Sequence, residues 1–296
     1  MKTGKSIEQL LIEFSELEPY GFSSLLLHCR ACQVPFDLEQ SVRIDRIGLF
    51  HQRLLVSLDA SDYHRAFEEE KLSPFARMNV PSDKLQQLHT FLPKAWRIHF
   101  GWELGNRGWV AKSYLELRPR FLKNQELEPS ERLAPNQLLF LGYKWPLNGM
   151  LPGVVTKYNI LCHSPPREAI TQWESSVLHL NQEYESSEFK SLTTLLKNCD
   201  TTEDPLLVLE VSDEGSVRFS YDINLYDLEQ TVDTVRDPFS SLIYRSFRES
   251  VYQDSKSYLE SIAKERLGHL ATGVDRHGSI FWTLYYGAIR VITQND

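Results

Sequence analysis

Four basic residues recur at matching places in this 296-residue chain: Arg53, Lys112, Lys157 and Arg218. Each is followed two positions later, by Leu55, Tyr114, Asn159 and Ser220 respectively. Successive side chains of a strand point to opposite faces, so residues at i and i+2 share one. If the strands lie side by side, the four cations converge on one surface. Such a set suits an anionic, partly apolar ligand: Arg and Lys at equivalent heights could share a diphosphate through charge-assisted hydrogen bonds, and tyrosine faces could cover an allylic chain.

The elements that must position these residues are legible as strand pairs. Val42 to Phe50 runs toward Arg53 to Asp59, where Leu54, Val56 and Leu58 oppose Arg53, Leu55, Ser57 and Asp59. AWRIHFGWEL turns at Gly105-Asn106-Arg107-Gly108 into WVAKSYLEL, with Lys112 and Tyr114 opposite Ala111, Ser113 and Leu115. A link marked by Pro119, Pro129 and Pro135 leads to QLLFLGYKW, a loop from Pro146 to Gly153, and VVTKYNILC. There the alternation sets Lys157 and Asn159 against Tyr158, Ile160 and Cys162. PLLVLEVSDEGSVRFSYDINLY turns at Asp213-Glu214-Gly215, and GHLATGVDRHGSIFWTLYYGAIRV turns at His277-Gly278.

Helical periodicity fills the intervals: Ile7 to Cys32 with a break at Pro19, Ser61 to Leu72, Ser82 to Leu92, Arg167 to Tyr184, Glu188 to Cys199, and stretches from Asp227 and from Pro238 to Leu267. The hairpin spacing is too long and uneven for a solenoid. The fold class expected is α+β in one domain spanning residues 1–296. Three architectures fit the pattern. One is a sheet with helices on one face and water on the other. Another is an open-sheet interaction protein. The sharpest is a ten-stranded antiparallel barrel inside a ring of helices, its lumen wide enough for solvent and ligand.

Composition bounds the function. With 42% hydrophobic residues and a net charge of -8, the chain has ample core and an acidic surface that disfavours phosphate-driven nucleic-acid binding. The first residues carry charges throughout and show no secretory leader, and no run approaches a membrane span, so the expectation is a cytoplasmic protein and a monomer. Four cysteines are too few for a disulfide framework. His28, Cys29 and Cys32 form an isolated C-x-x-C without a second pair, so no metal site is expected.

The hairpin residues resemble the soluble ABBA-barrel aromatic prenyltransferases, built from five ααββ units. WVAKSYLEL, VVTKYNIL, SVRFSYDINLY and FWTLYYGAI are similar to that family's second to fifth return strands, over roughly Val42 to Val291. VRIDRIGLFHQRLLVSLD is most similar to the peptide-modifying branch of cyanobactin pathways. The resemblance implies transfer of a dimethylallyl or geranyl group from its diphosphate to a peptide side chain or an aromatic small molecule. Arg53, Lys112, Lys157 and Arg218 would hold the diphosphate, with Mg2+ as a possible companion. Tyr114, Tyr143, Asn159 and Tyr285 would line the prenyl chain, and Asp45 would take the acceptor's proton. His99, Trp102 and Glu103 are the acceptor-side candidates. The fifth return strand departs from the pattern, offering Thr283 and Tyr285 where the family often carries a cation, with Arg276 and Arg290 nearby. The rival reading is a noncatalytic barrel binding a small ligand or leader peptide, which needs the cavity but not Asp45.

Overall fold

The computed structural model describes residues 6–67, 73–117, 135–148, 153–180, 186–199 and 204–293. Its sheet contains β1 (Phe36–Asp45), β2 (Leu49–Phe50), β3 (Arg53–Asp59), β4 (Arg97–Gly105), β5 (Gly108–Glu116) and β6 (Leu138–Pro146). It continues with β7 (Val154–Ser164), β8 (Leu206–Asp213), β9 (Phe219–Asn224), β10 (Leu267–Val274) and β11 (Ile280–Val291). Apart from β2, each strand pairs antiparallel with its chain neighbours, and β11 returns to pair with β1 from Phe36↔Val291 to Asp45↔Phe281. That last pairing closes a ten-stranded barrel. β2 is a two-residue flange bound only to β1. Closure rules out the open sheet, because both of its edges are consumed.

Helices α1 (Ile7–Glu13) and α2 (Phe22–Ala31) precede the first hairpin, and α3 (Ala60–Ala66), α4 (Pro74–Arg77) and α5 (Ser82–Phe91) precede the second. α6 (Pro166–Leu180) and α7 (Ser187–Asn198) precede the fourth, and α8 (Val232–Ser246) and α9 (Glu249–Ser261) the fifth. The segment before the third hairpin, with the expected link at Pro119 and Pro129, lies largely outside the described residues, as do the ends of the helices expected to reach Leu72 and Tyr184. No helix among the described residues is long and apolar enough to cross a membrane.

Local sequence explains the boundaries. Ser6 and Gln9 form a reciprocal capping box that starts α1, and Ser186 accepts from the Phe189 N–H to start α7. Gly21, at a φ of 82°, reverses the chain between a 3₁₀ turn and α2. The first strand begins at Phe36 rather than Val42. Its early residues Asp37, Glu39 and Ser41 face the lumen, so they lack the apolar alternation that marks a strand in sequence. Likewise α8 starts at Val232 and carries Pro238 inside it.

The core is a shell between barrel and helices. Leu54, Val56, Leu58, Phe100, Trp102, Leu115, Tyr143 and Trp145 pack with α1 to α5 on one side. Val42, Val208, Ile223, Leu270, Trp282 and Leu284 pack with α6 to α9 on the other. Trp173, Phe189 and Phe239 surround Trp282 with ring centroids 6.4, 6.0 and 5.6 Å away. With much of the outer face packed against helices, the polar side chains of the barrel gather on its inner face.

Candidate functional site

The inner face encloses a cavity of about 690 Å³. Among the described residues lining it are seven bases (Arg43, Arg53, Arg107, Lys112, Lys144, Arg218, Arg276) against three acids (Glu103, Asp222, Asp275). A chain whose net charge is -8 therefore concentrates positive charge in its interior. The cations sit toward the hairpin-turn end of the barrel, because Arg53 opens β3, Lys112 lies near the start of β5, and Arg218 immediately precedes β9. Lys112 and Lys144 stand directly opposite each other across the β5–β6 ladder. Facing like charges destabilise a sheet.

Two carboxylates hold this ring in place. Glu103 bonds Lys112 and lies 2.9 Å from Arg53 Nη1, a contact not aligned as a hydrogen bond. Arg53 Nε instead donates to Ser41 Oγ at 3.1 Å. Asp213 accepts from Arg218 at 2.9 Å, from Arg276 at 2.8 and 3.0 Å, and from Thr156 Oγ1 at 2.6 Å. Burial alone would raise both acids; the cations around them outweigh it and hold both well below the usual carboxylate range. Burial, with Arg53 nearby, pushes Lys112 down to about 8 despite Glu103. Burial and Arg218 push Lys144 well below its ordinary value. The two ammonium groups are thus destabilised as cations until an anion arrives.

Deeper along the lumen lies a belt of tyrosines. Tyr114 meets Tyr158 edge-on at 5.7 Å, and both line the cavity with Tyr285. Burial raises the pKa of all three, Tyr158 to about 12. The belt depends on Gly142, because a Cβ there would come within 2.8 Å of the Tyr114 ring. At the mouth, the Arg43 guanidinium lies over the Phe281 ring, 4.1 Å from its centroid. Beyond the belt, His269 Nδ1 pairs with Asp222 Oδ1 at 2.8 Å, and Tyr226 donates to Glu39.

The expected site residues divide sharply. Arg53, Lys112, Arg218, Glu103, Tyr114 and Tyr285 all line the cavity. His99 is on the inner face, bonded to Ser57 Oγ at 2.7 Å, with burial lowering its pKa. The other five residues fall outside the cavity lining. Lys157 pairs at 2.9 Å with Glu214 in solvent, its side chain 46% exposed. Asn159 shares the outward face of β7 with Lys157, because Tyr158 is the residue turned into the lumen. Tyr143 is buried in the outer shell, since its neighbour Lys144 takes the inner position on β6. Trp102 also packs outward, donating from Nε1 to the Tyr20 carbonyl at 3.0 Å and meeting Phe22 edge-on. Asp45 ends β1 at the mouth, accepting from Arg43 at 3.2 Å and from the Ile47 N–H at 2.9 Å, and it is not among the cavity-lining residues.

Sequence reasoning missed Arg43, Lys144, Tyr158, Asp222 and His269, and named Arg276 only as a cation near the fifth strand. The signal for Lys144 was present in the hairpin pairing: extending the period of β5 across a ladder would have set Lys144 opposite Lys112. Arg276 compensates for the fifth strand's Thr283, reaching the cation ring from the β10–β11 turn.

No cluster of three or more His, Cys, Asp or Glu suited to a metal occurs among the described residues. The carboxylates nearest the ring, Glu103 and Asp213, are each engaged by two cationic side chains, so the donor set does not offer a resident Mg2+ site. In the C-x-x-C, Cys29 is buried in the core, its thiol pushed up to about 12 by burial, while His28 bonds the Ala66 carbonyl at 2.6 Å.

The fold is that of the ABBA-type prenyltransferase barrel. The chain is similar over 97% of its length to 96% of NotF, solved with brevianamide F and DMSPP, at 10% identity and a TM-score of 0.51. Over 84% of its length it is similar to prenyltransferase PriB in its apo form (79% of that chain, 13% identity, TM-score 0.50). It is similar over 84% to 5-dimethylallyltryptophan synthase from Streptomyces coelicolor (80% of that chain, 13% identity, TM-score 0.50). No protein-family model and no curated protein sequence matches it. Likenesses at this identity define the architecture, and the chemistry must be argued from the site.

Proposed function

We propose that this protein is an enzyme that transfers a prenyl group, dimethylallyl or geranyl, from its diphosphate to an electron-rich acceptor. The observation that carries this reading is the ring of cations at one end of a tyrosine-lined cavity, with Lys112 and Lys144 facing each other across one ladder. A buried like-charged pair is a cost to folding that a bound polyanion removes. Arg53, Lys112, Lys144, Arg218 and Arg276 would hold the diphosphate and stabilise charge on the departing oxygen. When its C–O bond breaks, the electron pair leaves with the diphosphate. Tyr114, Tyr158 and Tyr285 would face the allylic cation, each ring contributing roughly 0.5 to 2 kcal/mol while excluding water. The acceptor's electron pair then forms the new bond to the prenyl carbon.

The Streptomyces coelicolor protein is named a 5-dimethylallyltryptophan synthase and NotF was solved with brevianamide F and DMSPP, which supports an aromatic acceptor. The likeness of the first hairpin to the cyanobactin branch supports one presented on a peptide. The chain would work as a cytoplasmic monomer. Any Mg2+ would enter with the diphosphate, and no step here depends on it.

Calorimetric titration with dimethylallyl and geranyl diphosphate, with and without Mg2+, tests the reading on the wild type and on Lys112→Ala/Arg218→Ala. Each lost charge-assisted contact is worth about 1.5 to 3 kcal/mol, so the double variant should bind about a hundredfold or more weaker. Absence of binding to the wild type would sink the proposal and leave the noncatalytic barrel.

A further inference from the structure

The prenyl-transfer reading leaves one proton unassigned: substitution on an arene or heteroatom releases it, and some group must take it. Asp45 is tied to Arg43 at the mouth and does not line the cavity. Glu103 lines it but is bound by Lys112 and flanked by Arg53. Asp275 lines it beside the turn, where its side chain accepts the His277 and Ser279 N–H groups. Asp222 differs from all three. It is buried, it lines the cavity, and its bonded partner is an imidazole on the next strand rather than a lysine or arginine.

Its position also fits. Asp222 lies on β9, four residues beyond Arg218 at its entrance and about 13 Å away at a strand's rise, so the diphosphate and the carboxylate are separated by room for an allylic group and an acceptor ring. Register places Asp222 opposite Ala271, a small residue that leaves the lumen open beside it. Resting on the reading above, we infer that Asp222, positioned by His269, is the proton acceptor of the transfer reaction. The C–O bond of the prenyl diphosphate breaks with its electron pair on oxygen. The acceptor's pair forms the bond to carbon, and the pair of the acceptor's X–H bond stays with the acceptor as the proton moves to the Asp222 carboxylate. The proton then leaves to solvent with the diphosphate.

The surroundings explain the pairing. Tyr158 on β7, Tyr285 on β11, Glu39 on β1 and Tyr226 after β9 face Asp222 and His269. Burial opposes charge on His269, but Asp222, followed by Glu39, raises it to about 9, so the imidazole stays cationic at neutral pH. It thereby orients the carboxylate, and the negative charge lies where the cationic intermediate forms. Glu39 itself is raised by burial, despite His269 and Tyr226.

Two measurements test this on the full-length chain. First, wild type, Asp222→Asn, Asp45→Asn and His269→Gln are assayed with dimethylallyl diphosphate and L-tryptophan, L-tyrosine or short peptides carrying them, alongside calorimetry with the diphosphate alone. Asp222→Asn should bind the diphosphate within about threefold of wild type yet lose transfer by about a hundredfold. His269→Gln should lower kcat more than it raises KM and shift the pH profile. Second, imidazole NMR should show His269 charged up to about pH 9 in the wild type and losing its proton at markedly lower pH in Asp222→Asn, where burial is opposed by Glu39 alone. Full transfer by Asp222→Asn, or loss in Asp45→Asn instead, overturns the assignment. So does a wild-type His269 that titrates at its ordinary value, a result that stands whether or not any acceptor is turned over. Failure of the wild type to bind the diphosphate would instead sink the prenyl-transfer reading, separately from the pair.

Discussion

Replacing Glu103 by Gln isolates the tension between stability and ligand binding in the cation ring. Glu103 is the counter-ion that Arg53 and Lys112 share, with a side chain only 19% exposed. Removing one partner of a buried ion pair strands the other, at a cost of about 3 kcal/mol when the replacement can still hydrogen-bond. For a 296-residue chain, with an unfolding entropy of about 2.1 cal/mol/K per residue, that corresponds to a fall of about 5 °C in Tm. The effect on an anion is opposite. Arg53 and Lys112 no longer divide their donors between Glu103 and the diphosphate, and regaining one charge-assisted bond of about 1.5 to 3 kcal/mol tightens binding ten- to a hundredfold. Differential scanning calorimetry of the free protein and titration with dimethylallyl diphosphate read the two quantities independently. Glu103→Gln with an unchanged Tm, or with weaker diphosphate binding, would refute the argument that Glu103 is a placeholder for the ligand's charge.

Gly142→Ala should displace Tyr114, since the new methyl would lie 2.8 Å from its ring; we expect leakage of the allylic cation to the prenyl alcohol to increase, measured by chromatography, while diphosphate affinity stays within a few-fold. Diphosphate affinity should fall as pH rises above about 8, where Lys112 loses its proton in the free protein, and this limb should vanish in Lys112→Met. The stability effect of the same lysine has the other sign. Its folded pKa is depressed, so between about 8 and its ordinary value the unfolded chain binds more protons and the fold gains stability as pH rises. His269 runs the opposite way: its raised pKa stabilises the fold fully below about 6.5, and that contribution is lost as pH climbs through about 9. A Tm–pH series on wild type and His269→Gln should show the difference in full below about pH 6.5 and shrinking across that window.

Residue order alone made legible the strand hairpins, the helices between them, and the inward faces of β3, β5 and β9, because there an apolar face alternates cleanly with Arg53, Lys112 or Arg218. It misled on β6 and β7. In LGYKW and VVTKYNIL both faces are buried or bulky, one by helices and the other by the tyrosine belt, so alternation alone does not say which side a lysine takes. Only pairing decides it: Lys144 opposite Lys112 and Tyr158 opposite Phe140 fix the phase, and Lys157 is thereby turned to solvent. The same limit hid Asp222 and His269. They lie on different strands, 47 residues apart in sequence, and meet because the β9–β10 register and the closure of β1 onto β11 bring the inner faces together. Residue types and period wrote the chemistry available to the lumen, while the barrel's registers chose which of those residues face it.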